Sequence, residues 1–100
     1  DRKKDMIIVS GFNVYPNEIE DVVSSFEGIV ECAVVGMPDK DTGESVRLFY
    51  VVDGEHNFNV DKLKSYCRSN LAAYKCPKQF EERKTLPKSN VGKILRKELR

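Results

Sequence analysis

The sequence predicts an α+β fold, a small mainly antiparallel sheet flanked by helices and opened by an N-terminal two-stranded β-ribbon. Three observations lead there. Apolar residues recur at helical spacing in two separate stretches, short β-branched runs bounded by turn residues lie around them, and the two kinds of segment lack the regular alternation of a parallel α/β sheet. The chain has 100 residues, 40% apolar and 33% charged, which suits one small unit able to bury about two-thirds of its unfolded surface.

Met6-Ile7-Ile8-Val9 and Asn13-Val14-Tyr15 read as the ribbon, with Gly11 as its turn. After Pro16, Asn17 and Glu20 form an N-x-x-E capping pattern, and Ile19, Val22, Val23 and Phe26 follow at i, i+3, i+4 and i+7, predicting an amphipathic helix that Gly28 stops. Ile29 to Gly36 predicts a largely buried strand. Met37 to Glu44, rich in turn residues, predicts a loop, and Val46 to Val52 an antiparallel neighbouring strand. Val60, Leu63, Tyr66, Cys67 and Leu71 predict a second amphipathic helix on the same sheet. Pro77 punctuates its far side, Gln79 to Arg83 alternates weakly as a third strand, and Ile94 to Arg100 predicts a short, frayed terminal helix.

A net charge of +1 argues against nucleic acid as the main partner. The average hides an asymmetry: residues 1–61 carry 5 basic and 13 acidic side chains, net −8, and residues 62–100 carry 12 basic and 3 acidic, net +9. The C-terminal third is either a polyanion-facing surface or a basic face that complements an acidic one. Cys32, Cys67 and Cys76 are odd in number without C-x-x-C spacing, so free thiols are expected rather than a disulfide framework or a zinc site. His56, in Gly54-Glu55-His56-Asn57, reads as a surface-loop residue, and no metal site is predicted. No apolar run approaches the ~18 residues of a membrane span, and no signal peptide is visible.

The best candidate for a catalytic side chain is Lys93, in Leu86-Pro87-Lys88-Ser89-Asn90-Val91-Gly92-Lys93-Ile94. A lysine ammonium is a mobile cation with three donors, suited to bridging anionic oxygens whose charge changes during a reaction. The run is not a phosphate-binding P-loop, which needs glycine where Pro87 stands and Ser or Thr where Ile94 stands. Alone, Gly92-Lys93 is also what an ordinary turn before a helix looks like, and the residues around it predict no substrate pocket.

Other segments of the chain change that weighting. Asp1-Arg2-Lys3-Lys4-Asp5-Met6-Ile7-Ile8, then Ser10-Gly11-Phe12-Asn13-Val14-Tyr15-Pro16 and Glu18-Ile19-Glu20, are followed by Tyr74-Lys75-Cys76-Pro77-Lys78, by Leu86-Pro87-Lys88-Ser89 and by Gly92-Lys93-Ile94. In this order and spacing the chain resembles the small C-terminal domain of the adenylate-forming enzymes, a superfamily of acyl-CoA synthetases, luciferases and peptide-synthetase adenylation domains. The wording around Gly11 to Pro16 is most similar to bacterial long-chain fatty acyl-CoA ligases. The resemblance covers essentially the whole chain, and a start at Asp1 inside the first motif predicts a piece excised from a longer protein.

The resemblance implies a two-step ligase. A carboxylate attacks the α-phosphate of Mg·ATP to give an acyl-adenylate and pyrophosphate, and coenzyme A then displaces AMP to form a thioester. Residues 1–5 would be the hinge from a large N-terminal domain, and residues 6–100 a lid that rotates between the steps and is inactive alone. By position, Lys93 matches the lysine of the adenylation step, Lys4 the hinge residue and Arg2 a nucleotide contact. Gly11 matches the place where the pantetheine arm of coenzyme A passes the backbone. Tyr74 matches a residue that stacks on the coenzyme A adenine, and Lys75 and Lys78 could meet its phosphates, while Cys76 departs from an arginine found in some relatives. ATP, Mg2+, coenzyme A and a fatty acid are thus the implied ligands, the first two held mainly by the large domain. The setting implied is the cytoplasm, with peripheral association at the inner face of the membrane open to the full enzyme. Two other readings stay open: a stand-alone nucleotide- or partner-binding module, and the equivalent domain of another adenylate-forming enzyme, such as an aryl-CoA ligase, a luciferase-like enzyme or a carrier-protein-loading domain.

Overall fold

Residues 5–100 are described by the computed structural model. The element order is β1 (Ile7–Val9), β2 (Phe12–Val14), α1 (Pro16–Ser24), β3 (Ile29–Asp39), β4 (Gly43–Val52), α2 (Val60–Asn70) and β5 (Gln79–Glu82), with 3-10 turns at Ala73–Lys75 and Arg96–Glu98. β4 organises the sheet. β3 runs antiparallel along one side of it, from Ile29 opposite Val52 to Asp39 opposite Gly43. The other side is shared: β1 meets β4 at Val9 opposite Gly43, and β5 runs parallel to it from Arg47 to Tyr50. The sheet is therefore mainly antiparallel, with one parallel pair at an edge.

Alternation along β3 and β4 sorts the core into two layers, because successive strand side chains point to opposite faces. Cys32, Val34, Val46, Leu48 and Tyr50 join Ile7, Val9 and Val14 of the ribbon under the helices, where Ile19 and Val23 of α1 and Leu63 and Cys67 of α2 close the layer. Phe26 adds aromatic contacts to Phe58 and Tyr66 at the end of that layer. Ala33, Val35, Phe49 and Val51 face the other way and are covered by Leu86, Leu99 and the partly buried Ile94. The second cover comes almost wholly from chain without regular secondary structure.

Several boundaries differ from expectation, each for a local reason. The 37–44 loop shrinks to a turn at Lys40–Thr42, since β3 continues to Asp39 and β4 starts at Gly43. Asp39 Oδ1 accepts hydrogen bonds from Asp41 N and Thr42 N at 2.8 and 3.2 Å, closing the turn with a side chain. Pro38 is tolerated because β3 is an edge strand, where a missing N–H need not break a ladder. The expected capping box at Asn17 and Glu20 does not form. α1 starts two residues earlier, with Pro16 at its first turn and Tyr15 as an N-cap lacking a side-chain bond. Glu20 is drawn elsewhere: its Oε2 accepts the N–H of Val34 on the β3 edge at 2.8 Å and its Oε1 pairs with Arg96 at 2.6 Å. α2 is capped by Asn59, whose Oδ1 accepts from Asp61 N and Lys62 N. The helix expected over Ile94 to Arg100 is only a 3-10 turn at Arg96–Glu98, and it is not frayed, since Leu99 is 6% exposed against the sheet.

Among the described residues no helix is long and apolar enough to cross a membrane. If the 86–99 segment is a true second cover, Leu99→Ala should lower stability by roughly 2–5 kcal/mol, as for other buried leucines. Val91→Ala, at a residue 80% exposed in the same segment, should change it by less than about 0.5 kcal/mol; chemical denaturation of both variants checks the contrast.

Candidate functional site

Lys93 stands at the foot of a closed loop. Lys88 and Ile94 form an antiparallel bridge, and Leu95 N donates to Pro87 O at 2.9 Å just outside it. Inside, Ser89 N donates to Lys93 O at 2.8 Å, Gly92 N to Ser89 O at 3.0 Å, and Lys93 N to Ser89 Oγ at 3.2 Å. Gly92 has φ of +83°, so the reversal needs a residue at ease in the left-handed region. Lys93 is thus held through both its N–H and its C=O while its side chain is exposed and meets no carboxylate among the described residues. It lines a wide, open cleft of about 960 Å³ with Ser89, Arg96, Asp5 and Glu20. An ammonium on a fixed backbone with no counter-ion among the described residues is available to an anionic ligand brought from outside.

A second group gathers at the ribbon. Ser10 and Gly11 both have positive φ, +51° and +85°, forming the tight turn between β1 and β2. No atom lies within 4 Å of where a Cβ on Gly11 would sit, so that side of the turn is open. Next to it, Phe12 stacks on Tyr74 with ring centroids 4.7 Å apart, drawing the 3-10 turn Ala73–Lys75 against the ribbon. Tyr74, Cys76 and Lys78 line an apolar pocket of about 350 Å³ with Val9, Ser10 and Thr42. Gly11, Tyr74, Lys75 and Lys78 are therefore brought together, on the helix-side layer, while the Lys93 loop belongs to the segment covering the opposite face. Arg2 and Lys4 lie outside the described residues.

The lysines of the second group are not idle. Lys75 Nζ is 2.9 Å from Glu18 and Lys78 Nζ is 2.7 Å from Asp39. The hydrogen bond from Lys78, followed by those from the Asp41 and Thr42 backbone, holds the Asp39 carboxyl well below the usual carboxylate range. Lys88 pairs with Glu31, Arg96 with Glu20 and Asp5, and Arg100 with Asp5. The charge asymmetry of the sequence is thus in part complementarity across the fold, with five of the basic residues of 62–100 tied to acidic residues of 1–61.

The cysteines are free, as expected. Burial pushes the thiols of Cys32 and Cys67 up to about 11 and raises that of Cys76, which makes them neutral packing groups rather than nucleophiles. His56 is exposed and its Nδ1 lies 2.7 Å from Asp53. Among the described residues no group of His, Cys, Asp and Glu is placed to hold a metal ion. Sequence reading missed Phe12, Asp5, Glu20 and Arg96 as site-forming residues. The stacking of Phe12 on Tyr74 and the meeting of Asp5 with Arg96 are long-range contacts without a local signal. The position of Arg96, three residues beyond Lys93, was the one available hint.

Comparison with known proteins gives a consistent picture. Residues 18–93 match the family model of the AMP-binding enzyme C-terminal domain. Over all 100 residues the chain is 61% identical to a long-chain-fatty-acid--CoA ligase of Salmonella typhimurium, of which it spans 18%. Among solved structures it superposes over its full length on a fatty acyl CoA synthetase of Mycobacterium tuberculosis, with a TM-score of 0.93 and 42% identity over 20% of that chain. It superposes equally well, at 35% identity, on an o-succinylbenzoate CoA synthetase of Bacillus subtilis in complex with an acyl-adenylate intermediate. The chain thus spans about a fifth of the length of the relatives it matches.

The Lys78–Asp39 pair has a pH signature. A carboxylate whose folded pKa is depressed contributes stability that is present above its usual value of 3.8 and lost as pH falls through the lower folded value. Asp39→Asn keeps an oxygen for the turn but removes the charge. Its unfolding midpoint should fall below that of the parent above about pH 4 and converge on it as pH drops further, which thermal melts across that range would measure.

Proposed function

The chain belongs to the AMP-binding enzyme C-terminal domain family, and from that premise we propose that it is the mobile small domain of an ATP-dependent long-chain fatty acid:CoA ligase. Residues 1–5 form the hinge to a large N-terminal domain and residues 6–100 the lid. The large domain holds the fatty acid, most of the ATP and its Mg2+, and the lid is inactive by itself. The observation that carries the reading is the arrangement of two separate surfaces, the Lys93 loop on the segment covering one face of the sheet, its cleft reaching over the sheet edge to α1, and the Gly11–Tyr74 group on the helix-side layer.

Lys93 serves the adenylation step. Attack on the α-phosphate brings a carboxylate oxygen against phosphate oxygens that are already negative, and an ammonium between them offsets the repulsion. Its exposed side chain and doubly hydrogen-bonded backbone suit that task. Arg2 contacts the nucleotide with a planar fork of donors. Lys4 absorbs the backbone rotation of the hinge, a role that needs conformational change rather than chemistry.

After rotation the ribbon face serves thioester formation. The open side of Gly11 lets the pantetheine arm run close to backbone, and the apolar pocket beside it accommodates the methylene-rich part of that arm. Tyr74 offers a ring to the adenine, with one face already occupied by Phe12. Lys75 and Lys78 meet the phosphates by exchanging Glu18 and Asp39 for them, so these contacts cost the domain two ion pairs as they form. A stand-alone polyanion-binding module fits less well, because Lys75, Lys78, Lys88, Arg96 and Arg100 already have carboxylate partners within the domain.

In the full-length enzyme Lys93→Ala should lower acyl-adenylate formation by a factor of about 100 or more, the scale of losing one transition-state electrostatic partner, with a supplied acyl-adenylate still converted to thioester. Equal loss in both half-reactions would remove Lys93 from that role. Gly11→Leu predicts the converse, adenylation kept and thioester formation lost, and an unchanged thioester rate in a single-turnover assay would count against the pantetheine path.

A further inference from the structure

Beside Lys93, a guanidinium gathers three separate parts of the chain. Arg96 donates from Nη2 to Glu20 Oε1 at 2.6 Å and from Nε to Glu20 Oε2 at 3.2 Å, a two-pronged contact to the middle of α1. The same Nη2 reaches Asn17 Oδ1 at 3.1 Å, and Nη1 reaches Asp5 Oδ2 at 3.4 Å. Arg100 completes the grip on Asp5 through Oδ1 at 2.6 Å. The groups are well shielded, with side-chain exposures of 20% for Arg96, 16% for Glu20 and 11% for Asp5. Planar, bidentate and partly buried contacts of this kind fix geometry as well as add energy.

Asp5 is the last residue of the hinge segment, directly after Lys4, and Arg96 directly follows the clamp that closes the Lys93 loop, with Leu95 N bound to Pro87 O. We propose that Arg96 is a positioning residue for adenylation: through Asp5 it locks the Lys93 loop to the point where the chain enters the domain. Rotation about a hinge delivers a side chain to a defined place only if the body beyond the hinge is stiff between its entry point and that side chain. Here the stiff path is short, running from Asp5 through the Arg96 guanidinium to the backbone of the Lys93 loop. The ribbon face does not depend on it, since Gly11 and Tyr74 are held by β1–β2 pairing and by the Phe12 stack.

This inference rests on the adenylation role of Lys93, and the test separates the two. In the full-length ligase, Asp5→Asn weakens the tie to the entry point while leaving the Glu20–Arg96 contact in place, and Arg96→Lys keeps the charge but loses the fork. Both should lower the kcat of acyl-adenylate formation by about tenfold or more, the scale of misplacing a reacting group by a fraction of an ångström to an ångström, with KM for ATP within about twofold. Conversion of supplied acyl-adenylate to thioester should stay within about twofold of the parent. Parallel losses in both half-reactions would mean a purely structural role and overturn the proposal. A loss with Lys93→Ala but none with Asp5→Asn or Arg96→Lys would overturn it alone, whereas intact adenylation in Lys93→Ala would bring down the reading of Lys93 and this inference with it.

Discussion

The ion pair of Glu20 with Arg96 spans the edge of the sheet and joins the two layers that cover it. Glu20 comes from α1 on one face, Arg96 from the segment covering the other, and between them Val34 N–H of the β3 edge is satisfied by the same carboxylate. One side chain thus supplies a bond to an edge strand, a cap against further strand pairing there, and an anchor for a segment without regular structure. Removing Arg96 would leave the Glu20 carboxylate short of its partner, and removing Glu20 would also orphan the Val34 N–H, in a place where water reaches poorly, which is costlier than the pair is worth in isolation. The second hydrophobic layer depends on this fastening, because Leu86, Ile94 and Leu99 have no helix or ladder of their own to hold them over Phe49 and Val51.

The fold solves a problem of size. A 100-residue chain has little core to divide between two faces, and here each layer rests on a handful of large side chains: Leu48, Ile19 and Leu63 under the helices, Phe49 and Leu99 opposite. The ion pairs are distributed accordingly. Lys75–Glu18 and Lys78–Asp39 brace the helix side and its turns, and Lys88–Glu31 and Arg100–Asp5 brace the other. Exposed pairs of this kind contribute modestly one by one, and their main effect is to fix which segment lies against which.

What the sequence disclosed tracks the range of the interactions involved. The stripes Ile19, Val22, Val23 and Leu63, Cys67, Leu71 were readable because a helix writes its buried face into local spacing, and β3 and β4 because β-branched runs do the same. Gly11 was readable as a turn from its place between two short strands. The 86–99 cover was not, since Leu86, Ile94 and Leu99 are separated by polar residues and share no period. Glu20 misled for an instructive reason: three residues after Asn17 it has the form of a capping partner, but a buried edge N–H and a guanidinium outcompete an exposed helix terminus. Of the candidate residues, Lys93 and Gly11 stood out by motif, whereas the union of Gly11 with Tyr74 depended on Phe12, whose role is visible only once the ribbon and the 3-10 turn meet.

The domain is a slab, 39 by 34 by 21 Å; the Lys93 loop belongs to the segment covering one face of the sheet, and the ribbon that carries Gly11 belongs to the layer on the other. A slab cannot turn both sides to one bound molecule at once. Under the function proposed above, the two sides would then be used one after the other, and the change between them would be a reorientation comparable to turning over a plate. Motions of that class run on microseconds to milliseconds, which sets the time scale on which a body of this shape exchanges one face for the other.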